Sequence, residues 1–285
     1  DLTFGVGRAP TPALPTSTEL ALPDVGEIQV RDIAGPPGAP TVVLLHGWTA
    51  TADLNFFTCY GPLSEHYRVI AFDHRGHAGG LRTREPFRLE DCADDVVRVA
   101  DSLGIDEVIP VGYSMGGPIA MLTWQRHRDR VRGLVLSATA PYFAGRRPER
   151  LSFVGLTGLA TLARYTPPQA REWLTDQFYL QRKTESWDDW AIEQAAGHDW
   201  RMVLEAGRAI GEFSASDWLA DIDVPTSVVV TMNDPVVPVR RQTKLWDWIP
   251  DARAYRVPGG HDAVVAQRRI FVPQLLRAIH ATTAR

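Results

Sequence analysis

Gly112-Tyr113-Ser114-Met115-Gly116 follows the apolar run Val108-Ile109-Pro110-Val111 and opens a helix-compatible stretch over residues 118–126. A serine between small residues, where a strand turns into a helix, is held on a tight bend with its hydroxyl exposed. Gly112 and Gly116 suit such a bend because larger side chains would collide across it. Pro118 falls in the first helical turn, where a missing N–H costs little. Serines between glycines also occur in ordinary turns, so the strand before and the helix after carry the reading. A free serine hydroxyl is a poor nucleophile, and the bend has chemical meaning only if a base and an acid exist elsewhere.

The same strand-then-helix rhythm extends in both directions. Thr41-Val42-Val43-Leu44-Leu45 is apolar and β-branched, as expected of a strand covered on both faces, and 67–72, 108–111, 131–136, 226–230 and 254–257 repeat the signal. Leu89, Ala93, Val96, Val97, Ala100 and Leu103 recur at helical spacing opposite Asp91, Asp94, Asp95 and Arg98, with Gly104 at the end. Residues 264–281 predict a terminal helix. Ile28, Val30 and Ile33 predict an edge strand or hairpin, and the first 24 residues, rich in Pro, Thr and Ala, are expected to run over the surface. Alternating strands and helices predict an α/β fold, a mostly parallel central sheet flanked by helices. The strand signal lapses between 141 and 215, where 151–164, 168–182, 187–196 and 198–213 read as short helices. The expected division is a core over 1–140, a helical cap over 141–215 and the rest of the core over 216–285.

At 285 residues the chain can bury one large core plus an insertion. A formal charge of −4 gives no reason to invoke nucleic acid, and Arg146-Arg147 and Arg240-Arg241 read as solvated surface. Cys59 and Cys92 lie in apolar-faced segments and are expected to be buried free thiols. No segment has the length and apolarity of a membrane span, and no charged-then-apolar leader follows Asp1, so a cytoplasmic protein is expected, monomer or dimer. Neither a phosphate cradle nor a dinucleotide fingerprint occurs, and no cofactor is expected.

His261, after Gly259-Gly260 in a loop beyond the last strand, is the candidate base; an imidazole takes up and returns a proton near neutrality. His46 is at a strand end, His127 at a helix end, and His66, His198 and His280 read as surface positions. Asp234, in Asn233-Asp234-Pro235 directly after the 226–230 strand, is the candidate acid that orients the imidazole. Asp221 and Asp223 precede that strand and so fall at the wrong edge of the sheet. The order Ser114, Asp234, His261 is the one expected of a triad built on such a turn. His46-Gly47-Trp48 follows the first buried strand, so the Trp48 and Met115 backbone N–H groups are the candidate oxyanion donors. Asp73-His74-Arg75-Gly76-His77 carries one acid and two histidines, but no further zinc-like cluster accompanies it, and structural support of neighbouring loops is the better reading. Metal ligation is not expected.

These segments together resemble the α/β-hydrolase superfamily from about residue 25 to the end. His46-Gly47-Trp48 resembles its oxyanion segment, Asp73-His74-Arg75-Gly76-His77 its D-x-R-G-x loop, and 112–116 its nucleophile elbow. Asn233-Asp234-Pro235 resembles the acid loop and Gly259-Gly260-His261 the histidine loop. Ala78-Gly79 departs from the common D-x-R-G-x-G pattern. The chain is most similar to the small capped esterases, lipases, lactonases and C–C-bond hydrolases. A serine at the elbow, where dehalogenases and epoxide hydrolases of this fold carry aspartate, implies an acyl-enzyme.

The resemblance implies hydrolysis of a small-molecule carboxylic ester by attack of Ser114, with Trp48, Tyr113, Phe153, Leu156 and Trp173 as candidate pocket residues for an apolar acyl or aromatic group. Lactone cleavage uses the same triad. C–C-bond hydrolysis of a vinylogous diketone would call for a polar cap group such as Arg164. A non-catalytic binding protein of the same fold is the rival from another class, at odds with a complete triad.

Overall fold

The computed structural model describes residues 12–145 and 188–284. Eight strands form one sheet: β1 (Thr18–Leu22), β2 (Gly26–Ile33), β3 (Thr41–Leu45), β4 (Arg68–Phe72), β5 (Ile109–Tyr113), β6 (Leu134–Ser137), β7 (Thr226–Thr231) and β8 (Arg253–Val257). Their order is β1-β2-β4-β3-β5-β6-β7-β8. β1 and β2 pair antiparallel, as do β2 and β4, and every pair from β4 through β8 is parallel. The sheet is therefore mixed but mostly parallel.

Strand alternation divides the core between the two faces. Val43, Leu45, Ile70, Leu134, Leu136, Val228 and Val230 point into one apolar cluster, and Val42, Leu44, Val69, Val135 and Val229 into the other. Continuous apolar runs are what a strand needs when both faces are covered. On the first side lie α3 (Leu89–Ser102), α4 (Gly116–Arg126), α6 (Trp200–Glu212) and α7 (Val239–Trp248). On the second lie α1 (Ala52–Phe56), α2 (Tyr60–Ser64), α8 (Ala263–Ala266) and α9 (Arg268–Thr283). α5 (Asp188–Ala196) precedes α6.

After β3 the chain adds β4 on one side, then returns to add β5 on the other. That reversal of direction opens a crevice at the carboxyl ends of β3 and β5, the usual place for a site in such sheets.

The helical insertion between β6 and β7 leaves and rejoins the core at one point. Tyr142 and Ser214 form an antiparallel bridge, and the Ala215 N–H donates to the Pro141 carbonyl at 2.8 Å. Asp199 caps α6 by accepting from the Met202 N–H, and Met202, Ala206 and Ile210 enter the first core cluster. Residues 151–164 and 168–182, expected to be helical, lie outside the described residues, as do Arg146-Arg147.

Several expectations are refined or corrected. Within the first 24 residues, Thr18–Leu22 forms β1, a mostly exposed edge strand that makes a hairpin with β2 and buries Leu22. The 131–136 strand begins only at Leu134, although Val131 bridges Val108. The terminal helix is two helices, broken at Gln267. Cys59 and Cys92 are buried free thiols, and burial pushes the Cys59 thiol up to about 12. Among the described residues no helix is long and apolar enough to cross a membrane.

Arg75 fixes the loop after β4. Its buried guanidinium donates two bonds to Asp95 of α3, at 2.6 and 2.9 Å, and Arg98 adds a third to the same carboxylate at 2.8 Å. Replacing Arg75 by Met leaves that buried carboxylate with Arg98 alone. The variant is expected to lose about 3 kcal/mol of unfolding free energy, measured by urea denaturation. A loss within the error of the wild-type value would show that the pair does not anchor the loop.

Candidate active site

Ser114 stands at the end of β5 with φ of 53°, a left-handed conformation that a residue with a Cβ adopts only at a cost. Its N–H donates to the Ser137 carbonyl at 2.9 Å, and its own carbonyl accepts from the Thr139 hydroxyl at 2.7 Å. The flanking glycines are required by the space available. A Cβ at Gly112 would overlap the Gly116 carbonyl across the bend, and one at Gly116 would overlap the Leu45 carbonyl at the end of β3. Gly117 is a third such position, pressed against the Thr139 side chain.

The acid and the base arrive together because β7–β8 pairing continues past the strands. The Met232 N–H donates to the Val257 carbonyl at 2.9 Å, and the Asn233 N–H to the Gly259 carbonyl at 3.0 Å. Asp234 then faces His261, with Oδ2 2.8 Å from Nδ1, while Nε2 lies 2.9 Å from the Ser114 hydroxyl. A carboxylate can only accept, so Nδ1 carries the proton and Nε2 is turned to the serine as the acceptor. The remaining lone pairs of Asp234 are occupied by the N–H groups of Val236 and Val237, at 2.9 and 2.8 Å, and by the Thr231 hydroxyl at 2.7 Å. Burial pushes this carboxyl up, but the hydrogen bond and charge of His261, with Val237 and Thr231, outweigh it and hold its pKa below the usual value. It therefore stays ionised wherever the imidazole works as a base. Asp223 instead accepts from the Trp124 indole at 3.1 Å.

The turn after β3 approaches the elbow closely. A Cβ at Gly47 would lie 3.3 Å from that of Ser114. The Gly47 N–H donates to Asn55 Oδ1 at 2.7 Å, and the Trp48 indole N–H donates to the Val203 carbonyl of α6 at 2.6 Å. Trp48 is partly buried and packs against the first core cluster. Tyr113, a candidate pocket residue, is 2% exposed; its hydroxyl donates to the His261 carbonyl at 2.6 Å and its ring packs near Phe56 and Phe271. Its place is behind the histidine loop, which it supports. Phe153, Leu156 and Trp173 lie outside the described residues. A cavity of about 480 Å³ at the base of the insertion is lined by Tyr142, Ala144, Phe213 and their neighbours, and no triad residue lines it.

Four histidines are buried beneath the turn. His198 was expected at the surface, yet it is 3% exposed. Ring centroids are separated by 4.3 Å (His46–His74), 5.0 Å (His46–His77) and 5.1 Å (His77–His198). Three of them are held neutral by their partners. His46 donates to the Gly47 carbonyl and accepts from the His74 N–H; His77 donates to the Arg75 carbonyl and accepts from the Thr49 N–H; His198 donates to the Thr49 carbonyl and accepts from the Ala78 N–H. A second proton on any of them would face another N–H. Neither ring nitrogen of His74 has a hydrogen-bond partner among the described residues. No group of three or more His, Cys, Asp or Glu among the described residues could hold a metal ion.

Burial lowers the pKa of all four, to about 3 for His74 and about 4 for His198. The unfolded chain protonates these imidazoles near 6.5, so below that pH it binds more protons than the folded one, and stability falls as pH drops toward 4 and 3. His74→Leu removes one such group without breaking a ring hydrogen bond. Unfolding free energy at pH 7.5 is expected to stay level or rise by up to about 1 kcal/mol. The decline of Tm between pH 6.5 and 4 should become shallower in a thermal-melt series, and an unchanged decline would remove His74 from the account.

A family model for the alpha/beta hydrolase fold matches residues 40–265. Proline iminopeptidase PfmaB of Pestalotiopsis fici is 35% identical over 112 residues, which is 38% of this chain and 40% of that protein. Poly(3-hydroxyalkanoate) depolymerase of Ectopseudomonas oleovorans is 25% identical over 281 residues, 94% of this chain and 93% of that protein. An esterase from Exiguobacterium antarcticum has the same fold, with a TM-score of 0.77 at 23% identity, covering 93% of this chain and 100% of its own. Matched from β3 through the histidine loop, and with hydroxyl, imidazole and carboxylate in hydrogen-bonded sequence, the chain belongs to the alpha/beta hydrolase fold family.

Proposed function

We propose that this protein hydrolyses carboxylic esters through an acyl-enzyme on Ser114. The observation that carries the reading is the unbroken relay from Asp234 through His261 to the Ser114 hydroxyl, at 2.8 and 2.9 Å. His261 Nε2 takes the hydroxyl proton as the oxygen attacks the ester carbonyl, then gives it to the leaving alcohol; water repeats the cycle on the acyl-enzyme. Asp234 fixes the imidazole tautomer and stabilises the imidazolium. The Met115 N–H, at the start of α4, and the Trp48 N–H, in a turn anchored through Gly47 and the Trp48 indole, stabilise the tetrahedral oxyanion.

The match to a poly(3-hydroxyalkanoate) depolymerase over 94% of the chain supports ester cleavage, since that polymer is a polyester. The substrate is a small ester with an apolar acyl or aromatic part, and a lactone, as an internal ester, meets the same chemistry. Residues 141–215 form the cap over a core made of 1–140 and 216–285, a division supported by the bridge that closes the insertion at its base. The buried free thiols fit a reducing compartment, the cytoplasm. C–C-bond hydrolysis has no observation in its favour, and Arg164, considered for it, lies outside the described residues.

Wild-type protein is expected to react with a fluorophosphonate probe and to hydrolyse p-nitrophenyl esters, with Ser114→Ala doing neither. Asp234→Asn should fold normally yet lose about 10⁴-fold in kcat, because it admits the wrong imidazole tautomer. Equal labelling of wild type and Ser114→Ala, or of neither, would sink the reading.

A further inference from the structure

Thr49, next to Trp48, has a left-handed backbone with φ of 63°, and both of its backbone polar groups are gripped by histidines from other parts of the chain. His77 Nε2, from the loop after β4, accepts its N–H at 3.3 Å. His198 Nε2, from the insertion, donates to its carbonyl at 2.9 Å. Each ring is anchored through the opposite nitrogen, His77 Nδ1 on the Arg75 carbonyl of its own loop at 3.0 Å and His198 Nδ1 on the N–H of Ala78, in that same loop after β4, at 3.0 Å.

The segment carrying His198 is itself stapled to the loop that carries His77. The Asp199 N–H donates to the Gly76 carbonyl at 2.8 Å, and Arg82 donates to both the Gly197 and Ala78 carbonyls. A Cβ at Gly76 would overlap the Met202 side chain, so the two segments cannot separate without opening a gap in the core. One turn further on, α6 takes the Trp48 indole N–H.

We infer that His198 and His77 are positioning residues for catalysis: they clamp Thr49 from both sides and thereby aim the neighbouring Trp48 N–H at the oxyanion, with His198 making the insertion a structural part of the oxyanion hole. This inference rests on the acyl-enzyme reading above and deepens it. A left-handed residue relaxes when its restraints are removed. Relaxation at Thr49 shifts the Trp48 Cα on one side and Ala50 on the other, and the Ala50 N–H donates to the Gly47 carbonyl at 3.3 Å, so the Gly47–Trp48 peptide, which carries the Trp48 N–H, tilts with it. A displaced donor weakens binding of the tetrahedral state more than binding of the planar ester.

The anchoring pattern supplies a clean test. An Asn at either histidine position reproduces the Nδ1 contact but is too short to reach Thr49, whereas a Gln reaches as far as Nε2. In the full chain, His198→Asn is expected to lower kcat/KM for p-nitrophenyl butyrate about 10- to 100-fold and to weaken inhibition by phenylboronic acid, which forms a tetrahedral adduct on the serine, by a similar factor. His198→Gln should restore at least a third of both. A purely structural histidine would instead lower Tm while leaving both quantities within threefold of wild type well below the melting temperature, and that result overturns the inference. Should His198→Asn not fold, His77→Asn reads the same clamp from its other side under the same criteria. Failure of the acyl-enzyme reading is seen separately, as wild-type protein that does not react with the fluorophosphonate.

Discussion

The close approach of two strand ends governs this molecule. β5 must turn left-handed at Ser114 while α4 begins almost against the end of β3; only backbone without side chains fits at Gly112 and Gly116, and Gly47 packs closely against the Ser114 side chain. That crowding places the serine hydroxyl above the crevice and brings the turn after β3 into reach of it. The strain at Ser114 persists because the bonds to Ser137 and Thr139 hold the bend from β6 and the loop behind it.

The polar groups around this bend are accommodated by pairing rather than by solvent. Asp234 is a buried carboxylate whose acceptor sites are filled from its own loop, from the end of β7 and from His261. Gln242, fully buried on α7, braces Thr231 through backbone and hydroxyl and so keeps that third donor in place. The histidines under the turn follow the same logic, each nitrogen's role being dictated by whichever backbone group it faces. His74 is the exception: its ring packs against His46 and Phe72, and among the described residues neither of its nitrogens has a hydrogen-bond partner.

Much of the site was legible because each triad residue lies just beyond a strand and so within a few residues of a strong local signal. Ser114, Asp234 and His261 needed only the strand ends and the chain order to be found. His198 had no such signal. Its partner Thr49 is far away in sequence, and a histidine between Gly197 and Asp199 reads as a polar turn until the insertion is seen folded onto the loop after β4. The role of Tyr113 behind the histidine loop had no such signal either: strand alternation says which face a residue occupies, and the hydroxyl's target depends on β8 and its following turn. β1 is hidden by proline- and threonine-rich surroundings, and its strand character comes from pairing with β2 rather than from its own composition. The break at Gln267 interrupts an otherwise continuous helical period, and there the 259–267 turn crowds Gly259 against the Gln267 side chain.

The bridge between Tyr142 and Ser214 has a bearing on how such a chain diversifies. Because departure and return share one hinge of backbone, the sheet registers the intervening stretch as a detour of no net displacement. Change between that gate and Gly197 need not disturb the pairing of β6 with β7, whereas His198 and α6 are held to the turn after β3 and to the core. Novelty in what is recognised can accumulate in the former part while the latter keeps the geometry of the machinery beneath.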